Sequence, residues 1–162
     1  MEIGGLPLHP LVVHAAVTLV PLSGALAVGF AVLPRWRWLL RWPAALVAVG
    51  AVVVAWAARL TGKSLLDSRP DLLESTSLRE QIERHQQLGE TLSMVVIPFA
   101  LIVLLGAWSL SGTSALASGK GARDSHAPAL EKALPAVLVV AGIGVLVLVV
   151  LVGDSGSRAV WG

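Results

Sequence analysis

Four apolar runs divide the chain, at residues 10–33, 42–60, 91–110 and 135–152. Each is near the roughly 20 residues that carry a helix across a bilayer. None contains Asp, Glu or Lys, and the one cation, Arg59, stands at the end of the second. A helix on a soluble core shows a polar stripe; these runs show none, which predicts helices embedded in lipid. The predicted fold is all-α, a four-helix antiparallel transmembrane bundle forming a single integral membrane domain over residues 1–162. The first run reads as a retained span. A cleaved leader opens with positive charge, whereas Met1-Glu2-Ile3-Gly4-Gly5 carries an acid and no Lys or Arg.

Finer patterning predicts how the helices pack. Ala44, Ala48, Ala51, Ala55 and Ala58 fall at spacings of 4, 3, 4 and 3, a small-residue stripe that admits a neighbouring backbone inside the bundle. Pro21 and Pro98 lie within runs one and three, where the ring removes a helical hydrogen bond. Gly142 and Gly144 offer close contact on run four. In the long connection 61–90, Ser77-Leu78-Arg79-Glu80 reads as a capping box with Ser77 as N-cap. The third helix is therefore expected to start near Leu78, project beyond the membrane and be the longest. Glu80 with Arg84 and Arg79 with Glu83 are spaced to pair along it. Residues 67–74, with Arg69-Pro70-Asp71, read as a turn. No internal repeat is convincing in the sequence.

Composition sharpens the class. Apolar residues make up 56% of the 162 and charged residues 14%, against about 25% charged in soluble domains. The absence of cysteine excludes disulfides, thiolate zinc sites, iron–sulfur clusters and c-type haem attachment. A formal charge of +2 gives no argument for nucleic acid; the implied partner is the lipid bilayer. Four spans place both termini on one side. Lys and Arg number six on each side, so position decides: the short first connection holds Arg35, Arg37 and Arg41 without an acid, and because the first helix usually dominates orientation, that side is expected to be cytoplasmic and both termini extracytoplasmic. Trp36, Trp38, Trp42 and Trp108 then fall at the inner interface, and Trp56 and Trp161 on the outer side.

Candidate chemistry gathers on the outer side. His126 lies in the third connection and reads as a solvated loop residue. His9 and His14 flank the start of run one, and His85 stands on the projecting part of helix three. At about 1.5 Å rise per residue, measured from the inner ends, His9 and His85 share a layer at roughly 36–37 Å. His14, Arg59, Glu90 and Asp154 share a lower one at roughly 25–30 Å. Imidazole is the usual axial ligand of haem b, and facing helices of a bundle are where such a cofactor sits. It also binds transition metals, with a carboxylate such as Glu90 or Asp154 completing the shell. His14, the deepest, is expected to approach His85, with His9 nearby. The five-residue spacing of His9 and His14 is about 140° around a helix, which opposes a compact two-histidine motif on helix one. Arg59 is expected to snorkel or to pair with Glu90 or Asp154.

The stretch Gly5-Leu6-Pro7-Leu8-His9-Pro10-Leu11-Val12-Val13-His14 resembles the opening of bacterial membrane proteins grouped as domain of unknown function 2231. That family is similar in its four spans, its His-Pro-x-x-x-His opening and a further histidine before span three, matched by His85. Thr61-Gly62 after span two fits as well. Gly153-Asp154-Ser155-Gly156 and Val160-Trp161-Gly162 resemble its glycine-rich ending, although the family's Gly-Gly pair and Val-Tyr are replaced here. Some relatives resemble fusions to a Rieske-type domain, which implies redox work in the bacterial cytoplasmic membrane. This chain has no such domain.

Two functions compete. One is a haem- or metal-binding electron-transfer bundle served by a redox partner protein. The alternative is a non-enzymatic membrane scaffold or accessory subunit with structural histidines. A transporter or proton relay is weaker, because no acid lies within a span. No Gly-x-Ser-x-Gly or His-Glu-x-x-His constellation supports a hydrolase.

Overall fold

Pro10 sits in the first turn of helix α1, Leu8–Val32, where its missing N–H would have had no partner. A single 3-10 turn, Pro34–Trp36, joins α1 to α2, Arg37–Ser68. A second such turn, Pro70–Leu73, precedes α3, Thr76–Ser109, and a third, Pro128–Leu130, precedes α4, Leu134–Trp161. The computed structural model describes residues 2–3, 6–73, 75–114 and 116–161. Met1, Gly4, Gly5, Glu74 and Gly162, which figure in the sequence expectations, lie outside the described residues.

All four helices are long and apolar enough to cross a membrane. They form a ring in which α1 packs on α2 and α4, and α3 packs on the same two, so α1 and α3 stand diagonally. Val20, Ala27, Phe30, Val96, Phe99, Val103, Leu138 and Val145 fill the centre. Leu46, Val53, Leu101, Val140 and Val150 point outward, exposed, as lipid-facing positions must. Ala44, Ala48, Ala51 and Ala55 are buried within the ring. Of the two glycines proposed for close contact, Gly142 makes one: a Cβ there would lie 3.0 Å from the Gly24 carbonyl oxygen, and a Cβ on Gly24 would lie 3.0 Å from that of Gly142. Gly144 has no neighbour within 4 Å of its Cβ position.

The helices outrun the apolar runs. α2 continues to Ser68, α4 passes through the glycine-rich ending, and α3, at 34 residues, is the longest. The capping box does not form. Ser75 is the N-cap of α3 without a side-chain cap bond, Ser77 is already helical, and the two hydroxyls stand 3.2 Å apart. Arg79 pairs with Glu83 at 2.9 Å, and Arg69 with Asp71 at 2.9 Å around Pro70.

The first connection holds a surprise. Arg37 and Arg41 are buried. The Arg37 guanidinium donates to the carbonyls of Phe30, Ala31 and Ser111 and to the Glu131 carboxylate, 3.2 Å away. Arg41 donates to Leu110 O. Carbonyls at a helix C-terminus lack intrahelical partners and carry partial negative charge, so these cations close the C-terminal ends of α1 and α3. Ser111 holds Glu131 through its hydroxyl at 2.5 Å and its backbone N–H.

Candidate functional site

At the opposite end of the ring, His9 on α1 turns its Nδ1 toward α2, 3.1 Å from Ala58 O and 3.2 Å from Thr61 Oγ1. A carbonyl only accepts, so Nδ1 carries the proton and donates. The Thr61 hydroxyl spends its own proton on Ala57 O and Ala58 O, and is free to accept from the same N–H. In the neutral ring the lone pair is then on Nε2. The ring lies against Gly62, where a Cβ would come within 3.1 Å of Cε1.

His85 on α3 repeats this arrangement on α4. Its Nδ1 stands 3.1 Å from Val152 O and 3.1 Å from Ser155 Oγ. The Ser155 hydroxyl donates to Val152 O, and a Cβ on Gly156 would approach His85 Cε1 to 2.9 Å. Both imidazoles are half-buried, and among the described residues neither Nε2 has a hydrogen-bond partner. An imidazole whose Nδ1–H is fixed by a carbonyl, with Nε2 bare, is oriented as metal-ligating histidines are.

The other candidates have partners of their own. His14 is exposed and donates from Nδ1 to Pro10 O of its own helix, at 2.6 Å. Glu90 is engaged by Arg59 at 3.4 Å, and the Arg59 guanidinium rests over the Trp56 ring, 5.2 Å from its centre. Trp56 in turn donates to Ser93 O, which ties α2 to α3 at that level. Asp154 pairs with Arg158 one turn along α4. Both carboxylates are thus ion-paired, and among the described residues no three His, Asp or Glu side chains gather as a ligand set. His126 sits edge-on to Trp108, 5.7 Å between ring centres, and contacts Arg123.

The anchors of the two imidazoles are what sequence reasoning missed. Thr61-Gly62 and Ser155-Gly156 share a hydroxyl-then-glycine pattern, and that pattern was the available signal.

A family model described as a predicted membrane protein, DUF2231, matches residues 5–162. The chain belongs to the DUF2231 family. No curated protein and no solved structure matches it. In this DUF2231 protein the family match and the four apolar helices together establish an integral membrane protein. Its two clasped histidines belong to the ends of α1 and α3 that share one face of the bilayer.

Proposed function

We propose that this protein is an electron-transfer bundle that holds haem b at its outer end, with His9 and His85 as axial ligands and a redox partner protein docking there. The observation that carries the reading is the matched fixing of Nδ1–H in both imidazoles, which leaves two Nε2 lone pairs without a partner among the described residues. A haem suits this set better than a bare cation. The porphyrin supplies four nitrogens and asks the protein for two, whereas zinc-type centres want three or four protein ligands, and Glu90 and Asp154 are already paired. His14 plays no part in this version of the site.

The test is an optical spectrum of protein purified from its native membrane. A Soret band that shifts on dithionite reduction is expected. His9→Ala and His85→Ala each lose it, and His14→Ala keeps it. Colourless protein without stoichiometric metal rejects the reading. The scaffold reading would then stand, favoured by the fact that each histidine already bridges two helices: a bond from α1 to α2 and another from α3 to α4.

A further inference from the structure

The two histidine clasps are one instance of a correspondence that runs the length of the molecule. Shifting α1 by 76 positions brings His9 onto His85. The same shift carries all six buried residues of α1 onto buried residues of α3: Val20 onto Val96, Ser23 onto Phe99, Gly24 onto Ala100, Ala27 onto Val103, Phe30 onto Gly106 and Ala31 onto Ala107. Shifting α2 by 94 positions brings Ala58, Thr61 and Gly62 onto Val152, Ser155 and Gly156. That shift also superposes buried Ala44, Ala48 and Ala51 on buried Leu138, Gly142 and Val145, and the 3-10 turn at Pro34 on the one at Pro128. The ring has the matching symmetry, since exchanging α1 with α3 and α2 with α4 maps each helix contact onto another.

At a twofold axis, equivalent positions meet. Two such pairs mark the axis here. Near the inner end Arg37 meets Glu131. Higher up, Phe30 lies 3.3 Å from the Cβ position of Gly106. Both are complementary, cation with anion and large with small. At the outer end the same operation relates His9 to His85, each clasped through Nδ1 by the next helix of its own hairpin. That pair is identical: two imidazoles whose Nε2 atoms have no partner among the described residues.

We infer that the chain is a duplicated helical hairpin whose two copies each present one imidazole to a single metal centre on the pseudo-twofold axis, with Thr61 and Ser155 as equivalent positioning residues. The chemistry is one electrophilic centre accepting two lone pairs equally, whether haem iron or a two-coordinate cuprous ion. This rests on the histidine pair of the functional reading, but not on haem.

The experiment titrates the ligand-free full-length protein in detergent with hemin in one arm and cuprous ion in another. One equivalent of one probe per chain is expected. His9→Ala and His85→Ala lower its affinity to the same degree, with circular dichroism confirming that each variant is folded. Thr61→Val and Ser155→Ala each weaken binding by a matched factor of about 10, and the exchange Thr61→Ser with Ser155→Thr leaves it unchanged. In the ligand-free protein, 15N spectra show Nδ1–H in both imidazoles. Cuprous binding without hemin binding rejects the haem reading and retains the inference. Hemin binding that survives loss of either histidine, or an Nε2–H tautomer in either ring, overturns the inference and leaves haem binding standing. If neither probe binds, both fall.

Discussion

Arg37 and Glu131 meet 3.2 Å apart at the end of the bundle opposite the histidine clasps, 94 positions from each other in sequence and each one residue beyond a proline-initiated 3-10 turn. The arginine side chain is 5% exposed, and its donors serve α1, the third connection and the carboxylate together. Arg37→Met leaves the Glu131 charge and three carbonyls without their cation. Because Glu131 is 28% exposed and can be rehydrated, the loss is mainly that of the stranded carbonyls, about 1–3 kcal/mol, read as a lowered midpoint of thermal unfolding in detergent. Arg37→Lys recovers only part of it, because an ammonium lacks the planar fork.

Acid should attack the same place. Desolvation pushes the Glu131 carboxyl up, but the Ser111 hydroxyl, Ser125, the Ser111 N–H and the Arg37 charge together hold it below the usual 4.5. A carboxyl with a depressed folded pKa contributes stability that is present above the unfolded value and lost as pH falls through the folded one. Unfolding midpoints are therefore expected to drop below about pH 4.5, and Glu131→Gln to flatten that drop. An equally steep acid limb in the glutamine variant would assign it to another group.

The two glycines of α4 should part company. Gly142→Ala drives a Cβ to 2.9 Å from Val28 Cγ2 and 3.0 Å from Gly24 O, so a cost of about 1–3 kcal/mol is expected. Gly144→Ala meets nothing within 4 Å. It is expected to be neutral or to stabilise by up to about 1 kcal/mol, the helix-propensity difference. Thermal melts of the two variants side by side decide it.

Orientation is open to a chemical test, since the chain has no cysteine. We expect Ser157→Cys in α4 to react with a membrane-impermeant maleimide in intact cells, and Trp36→Cys in the first connection to react after lysis. The reverse pattern inverts the topology.

The helices were legible because length and uninterrupted apolarity are enough to specify a span; no fine spacing is needed. Their ends were less so. The polar stretch 153–161 stays helical with α3 beside it, His85 packing on Ser155, and Thr61 at the start of 61–68 is held by His9. Height arithmetic placed His9 and His85 in one layer. It could not say which way His14 faces, and the structure turns that ring outward onto Pro10 O. The internal repeat escaped the sequence because equivalent positions carry different residues, as at Phe30 and Gly106 or Ala44 and Leu138. A longer third connection also changes the offset from 76 to 94 half-way through each unit. Burial of Arg37 and Arg41 was invisible for a related reason. The same arginines satisfy the positive-inside rule whether they dangle in water or cap a neighbour's carbonyls.

Gly24 and Gly142 touch through their backbones, yet 118 residues separate them. A ribosome adding about 5–20 residues per second delivers the second roughly ten seconds after the first. Through that interval the α4-facing groove of α1 has no partner of its own and stands open to lipid. The ring is thus closed only by α4, and a chain stalled in the third connection would leave a three-sided assembly with a glycine-floored slot exposed within the bilayer.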